Sequence, residues 1–141
     1  MVNLLRFRAW IKEEKCFADF IETIRYYSKE IDLCWGGICE SDCFDFEDVI
    51  LMQSTGLFDK NGKEIFEGDI LKVANNDSSW FEVVKYDHNK AMFISKEMNL
   101  KYEVPETPLY DLFSPYLFKV EVIGNILGDG DLIDGKKANE N

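Results

Sequence analysis

The chain reads as a mainly β protein, a β-rich α+β fold: a small SH3-like or related partly open barrel with an N-terminal β extension and one or two short helices. Three observations carry that expectation. Residues 51–73, LMQSTGLFDKNGKEIFEGDILKV, place three candidate backbone reversals in quick succession. Beyond Gly68, short runs rich in β-branched and aromatic residues alternate with Gly, Asn, Asp and Pro punctuation, the pattern of closely spaced strands. Finally, 141 residues at 46% hydrophobic and 14% aromatic content exclude wholesale disorder. One domain of this length should bury roughly two thirds of its extended surface. The expected organisation is a single domain over 1–141. It comprises a variable β/α extension at 1–50, a barrel core at 51–127 and a loose tail at 128–141, rich in Gly, Asp, Lys and Asn.

In chain order, residues 4–10 set Leu4, Arg6, Arg8 and Trp10 against Leu5, Phe7 and Ala9, which predicts a strand with one wet face. Lys12-Glu13-Glu14-Lys15 is a polar reversal. Over 16–27, Phe17, Phe20, Ile21, Ile24 and Tyr27 recur at helical spacing, although Phe20, Ile24 and Tyr26 also fit alternation. Asp19 and Glu22 suit the positive end of a helix dipole, so a short helix is expected here. Gly36-Gly37 splits the apolar run at 31–43 as a hairpin turn would. Five acids, Glu40, Asp42, Asp45, Glu47 and Asp48, then follow with no compensating base. If that segment is extended, Phe44 and Phe46 pack on one face while Asp45 and Glu47 stay in water. Residues 49–52 lead as a strand into the central stretch.

Within it, Gln53-Ser54-Thr55-Gly56-Leu57 reads as a break in which Gly56 adopts a conformation closed to residues with a Cβ. Asp59-Lys60-Asn61-Gly62 reads as a tight turn, and Gly68-Asp69 as another before a strand at 70–73. Residues 75–79 form a loop, and 80–86 and 91–95 form strands around an Asp87-His88-Asn89-Lys90 turn. A further strand at 100–104 is closed by Pro105 and Pro108. Thr107 is expected to cap one helical turn over 107–113, with Pro108 at its first position. The last strand covers 117–126 and puts Phe118, Val120 and Val122 on one face. Four strands, a helical turn and a final strand is the order of an SH3-like barrel; an OB-like barrel or an open sheet would use the same strands.

Three pieces of sequence resemble the YopX family, small proteins encoded by bacterial phages and prophages. They are Leu51-Met52-Gln53-Ser54-Thr55-Gly56-Leu57 with Asp59-Lys60-Asn61-Gly62-Lys63-Glu64-Ile65-Phe66-Glu67-Gly68-Asp69-Ile70, Arg6-Phe7-Arg8-Ala9-Trp10, and Glu121-Val122-Ile123-Gly124-Asn125-Ile126. Their order and spacing bracket almost the whole chain. Ile11 departs from the acidic residue the family often places after the Trp, and residues 11–49 and 75–119 carry no match. The resemblance implies a phage or prophage origin. It transfers no catalytic residue, since the family has no established activity.

Charge narrows the function classes further. With 27 acidic against 16 basic residues the net charge is -11, which on average repels nucleic acid and anionic membranes. Solubility accounts for much of such an excess. Its sharper consequence is attraction to a basic protein, host or phage encoded, including one whose usual ligand is DNA. The only dense cationic group, Arg6, Arg8, Lys12 and Lys15, would have to carry the alternative reading, nucleic-acid or small-ligand binding through the barrel. No apolar run reaches the length of a membrane span, and the start MVNLLRFRAW lacks a secretory signal, so a cytoplasmic location in the bacterial host cell is expected.

Four residue sets bear on chemistry. Cys34, Cys39 and Cys43, with Cys16 or His88, offer zinc donors, but C-x4-C-x3-C lacks the paired C-x2-C knuckle, and no metal or other cofactor is expected. The Asp59 turn resembles the start of a calcium loop, yet its glycine comes early and Ile70 stands where the bidentate Glu belongs. The carboxylates Asp42, Asp45, Glu47 and Asp48 suit glycoside hydrolysis only if their environments set them apart. The lone histidine, His88, lies in a turn, and the G-x-S-x-G, G-x-x-x-x-G-K-[ST] and H-E-x-x-H signatures are absent, so no enzyme is expected. The fourth set is aromatic: Trp35, Trp80, Phe81, Tyr86, Phe93 and Tyr102, about half of which a small barrel must bury. From these sets Asp42, Asp45, Glu47, Asp48, Trp35, Trp80 and Tyr86 are the expected partner surface. An exposed edge strand or unclosed barrel would also allow pairing with a second copy.

Overall fold

The computed structural model describes residues 5–37, 40–98, 101–102, 104–114 and 117–128. Leu4, Cys39, part of the expected strand at 100–104 and the tail beyond 128 lie outside them. The described residues are predominantly strand, and the only helical elements among them are two 3-10 turns. It forms two compact units, Met1–Ser54 and Thr55–Asn141.

In the first unit, β1 (Phe7–Ile11) turns at 12–15 into β2 (Cys16–Phe17), with Lys15 at φ +53°. Then β3 (Phe20–Arg25), β4 (Glu30–Cys34) and β5 (Ser41–Asp45) make an antiparallel sheet in chain order. A 3-10 turn at Phe46–Asp48 leads into β6 (Val49–Phe58), whose first half pairs with β1, Ile11 opposite Val49 and Phe7 opposite Gln53. Side chains from β1, β4 and β6 converge because strand alternation sends Ala9, Ile11, Ile31, Leu33 and Val49 inward, where each is at least nine-tenths buried. Full burial of such a side chain stabilises by about 1.5–3 kcal/mol.

The expected helix at 16–27 is not there. Two of the residues that gave it its periodicity, Phe20 and Tyr27, are 59% and 103% exposed, so no buried helical face exists. The β-branched Ile21, Thr23 and Ile24 instead pair with Leu33, Asp32 and Ile31, across a bulge between Ile21 and Thr23. The Gly36-Gly37 hairpin is as expected: both glycines have positive φ, +69° and +79°, a turn geometry that costs residues with a Cβ.

The second expectation to fail is the break at 53–57. β6 runs through it as one strand of ten residues. Gly56 does take φ +78°, but the irregularity is absorbed locally: the Thr55 hydroxyl donates to the Ile65 carbonyl at 2.7 Å and accepts from the Leu57 N–H at 3.1 Å. Beyond it, Asp59 builds the expected turn. One carboxylate oxygen accepts from the N–H groups of Asn61 and Lys63 at 2.9 and 2.8 Å, and the other accepts from the Val122 N–H at 2.9 Å.

The second unit continues with β7 (Glu64–Phe66), β8 (Asp69–Ala74), β9 (Ser79–Asp87), β10 (Met92–Glu97), β11 (Thr107–Pro108) and β12 (Lys119–Asn125). Five of these form one sheet in the order β11-β10-β9-β8-β12, curled into a half-barrel. Its core gathers Ile65, Leu71, Val73, Val84, Leu109, Leu112 and Val120, with Phe118 and Val122 packed against it as β12 alternation predicts. The strand expected at 100–104 fails where it is described, since Lys101 and Tyr102 form an exposed bend. Its place at the sheet edge goes to β11, where Thr107 pairs with Ser95 and Pro108 with Ile94. An edge is where a residue without an N–H is tolerated. Thr107 is therefore held in the ladder and caps nothing; the 3-10 turn Leu109–Phe113 starts from Pro108, with no side-chain cap.

Candidate interaction surface

The acidic segment is a single structural feature. Among the described residues β5 pairs only with β4, so it is an edge strand, and Ser41, Asp42, Cys43 and Asp45 are all exposed. Glu47 and Asp48 continue on the exposed side of the 3-10 turn, while Phe44 and Phe46 turn inward onto the first core as expected. Trp35, just after β4, packs its ring against that core and donates from Nε1 to the Asp42 carboxylate at 2.8 Å. Five of the seven expected surface residues thus lie in the first unit: Asp42 is bonded to Trp35, Asp45 points from the opposite face of β5, and Glu47 and Asp48 follow in the exposed turn.

The other two belong to the second unit. Trp80 packs against the second core, edge-on to Phe118 with centroids 5.9 Å apart, and its Nε1 donates to Glu82 at 2.8 Å. Tyr86 lies half-buried between His88 and Phe93, in edge contacts of 4.9 and 5.1 Å. Elsewhere on this unit, Phe58, Asp59, Lys60, Leu112, Phe113, Phe118 and Lys119 are among the residues lining a cleft of about 230 Å³.

One cluster escaped the sequence reading. On the outer face of the β3-β4-β5 sheet, Arg25 makes a bidentate pair with Asp32, both bonds 2.7 Å, and its Nε lies 3.6 Å from Glu30. Cys43 Sγ stands 3.5 Å from both Arg25 and Glu30. The Arg25 hydrogen bonds hold Asp32 below its ordinary pKa. Hydrogen bonds from Ser28 and Cys43 do the same for Glu30, with Arg25 adding its charge. Local desolvation and the Glu30 carboxylate push the Cys43 thiol up, away from the thiolate that a nucleophile or a metal ligand requires. The signal was present: Thr23 and Arg25 alternate with Ile24 in register with Asp32 and Glu30, but it is visible only if 20–25 is read as strand.

Among the described residues, no three His, Cys, Asp or Glu side chains are placed to hold a metal ion. Cys34 is buried, Cys16 half-buried and Cys43 exposed, and none of the three is in a disulfide. Of the cationic group, Arg8 sits 4.5 Å over the Phe17 ring and donates to Met52 Sδ at 3.4 Å, while Lys12 donates to the Glu47 carbonyl at 2.6 Å. No helix in the described residues is long and apolar enough to cross a membrane.

The family model described as YopX protein matches residues 6–134. This chain belongs to the YopX family. Two solved structures are similar to it. Protein EF1440 from Enterococcus faecalis is 26% identical, with a TM-score of 0.60 over 94% of this chain and 99% of its own. Protein yopX from Bacillus subtilis is 20% identical, with a TM-score of 0.57 over 89% of this chain and 95% of its own, a likeness of fold. Neither description names an activity, and no curated protein matches the chain. The acidic edge strand and the half-barrel both lie within the matched span, which takes in residues of both units.

Proposed function

We propose that this YopX protein is a non-enzymatic interaction module, an accessory protein of phage or prophage origin that docks a protein partner, a host protein among the candidates, in the cytoplasm of the bacterial cell. The supporting observation is the edge strand and following turn, where Asp42, Asp45, Glu47 and Asp48 are exposed in a segment without a single base and Asp42 is bonded to Trp35. The partner surface is negative with an aromatic anchor, which favours a basic partner and speeds encounter with it. The test is affinity capture from host lysate at low and high salt, using the native chain and a D42N/D45N/E47Q/D48N variant. A basic protein should be retained at low salt, released at high salt, and lost with the variant. Retention of the same proteins by the variant would sink the reading.

A second reading, small-ligand binding in the barrel, rests on the cleft beside Phe58, Phe113 and Phe118, where Lys60 and Lys119 supply cations at an aromatic surface. Nucleic-acid binding has weaker support, because Arg8 and Lys12 are already engaged within the first unit. If neutralising Arg6, Lys12 and Lys15 leaves nucleic-acid affinity unchanged, that version fails.

A further inference from the structure

The way β5 is paired determines more than its charge. Phe46 N–H donates to the Lys29 carbonyl at 3.0 Å, which marks Lys29 and Phe46 as a pair whose main-chain groups face each other. In an antiparallel ladder such pairs recur at every second residue. In the observed register the next are Ile31 with Phe44 and Leu33 with Asp42. The other side of β4 agrees, since the Cys34 carbonyl accepts from Asp19 N–H, toward β3. The N–H and C=O groups of Ser41, Cys43 and Asp45 therefore point away from β4, to the side where the sheet order ends. These three residues are exposed.

We infer that β5 takes an added antiparallel strand from a basic partner, in which a cation faces Asp45, an apolar residue faces Phe44 and a second cation faces Asp42. This deepens the docking reading above and rests on it. The main-chain groups of Ser41, Cys43 and Asp45 supply the ladder, as in other cases of strand addition, and side chains on the two faces supply selectivity. Asp42 and Asp45 lie three residues apart, and Phe44 is only half-buried, so apolar area is left for the partner to cover. Read along the partner, the motif is basic, apolar, any residue, basic. A second copy of this chain is a poor occupant, because it would lay one five-acid segment along another, and like charges across a strand pair repel.

The test uses the full chain and a short synthetic peptide with Lys-Val-Thr-Lys at its centre. Amide exchange is followed by NMR, and affinity by fluorescence anisotropy. At saturating peptide, the amides of Ser41, Cys43 and Asp45 should exchange at least about tenfold more slowly, as new ladder donors do. D42N/D45N should weaken binding by about tenfold, the effect of losing two exposed charge pairs. The Asn carboxamide can still accept from Trp35, and D45N alone serves as a check that leaves that bond untouched. A peptide N-methylated on alternate backbone nitrogens should not bind. If it binds as well as the parent, or if the three amides exchange at their free rate, strand addition is overturned while the acidic docking surface stands. If a peptide with Glu in place of both Lys binds equally, the charge basis shared by both readings is overturned.

Discussion

At the scale of single residues, Asp59 has the heaviest structural duty. It is 7% exposed and satisfies three main-chain donors, two in its own turn and one in β12. Burial alone would raise its pKa, but the donors at Val122, Lys63 and Asn61, with the Lys63 charge, outweigh it and hold the carboxyl below the ordinary 3.8. A depressed folded pKa contributes stability that is complete above the unfolded value and fades as pH falls through the folded one. Asp59→Ala should therefore cost roughly 2–4 kcal/mol at neutral pH, because buried donors lose their acceptor. Asp59→Asn, which cannot ionise, should flatten the acid limb of a urea-midpoint profile taken from pH 6 down to about pH 2. A variant with the native acid limb would assign that limb to other carboxylates. Cys43 gives a second prediction. Its thiol is held protonated beside Glu30, so at mildly alkaline pH it should alkylate more slowly than a cysteine in an unstructured peptide, and Glu30→Gln should speed it up. Site-resolved mass spectrometry distinguishes Cys43 from the other three cysteines.

At the scale of elements, Gly56 shows how a signal can be right in kind and wrong in consequence. Its backbone is left-handed as expected, but nothing lies within 4 Å of where a Cβ would stand. Gly56→Ala should thus cost about 1–2 kcal/mol from backbone strain alone, with no steric term. Thermal unfolding of the pair Gly56→Ala and Gly56→Asn would check this, Asn being the milder. The sequence announced a break here because Gly56 favours a conformation closed to residues with a Cβ; pairing of residues 49–53 with β1 and the Thr55 bond to Ile65 carry the strand across. Legibility elsewhere followed the same logic. Turns fixed by local chemistry, at Gly36-Gly37, Asp59 to Gly62 and Asp87 to Lys90, were readable because their partners lie within a few residues; Asp87 caps Asn89 and Lys90 N–H groups directly. Segments 16–27 and 100–107 were not, because helix or strand there depends on which distant strand supplies the ladder. The candidate surface divided similarly. Alternation placed Phe44 and Phe46 inward and Asp45 and Glu47 outward, whereas nothing local could say that Trp80 would lean on Phe118 or that Arg25 would meet Asp32.

For the whole molecule, each unit closes its own core, around Ile31 and Leu33 in the first and around Leu71 and Val84 in the second. Leu33→Ala and Leu71→Ala should each cost about 2–5 kcal/mol. Hydrogen exchange should show protection falling chiefly within Met1–Ser54 for the first variant and within Thr55–Asn141 for the second. Equal loss everywhere in both would mean that the two cores melt as one.

The hand-over between units occurs inside β6, at a place where Ser54 N–H is bonded to the Arg6 carbonyl at 2.7 Å and Thr55 to Ile65. With both residues hydrogen-bonded, each within its own unit, 54 and 55 are poor places for a protease to nick or for an engineer to splice in a reporter. The exposed tip at His88, Asn89 and Lys90 is where such a graft should be accepted without loss of solubility.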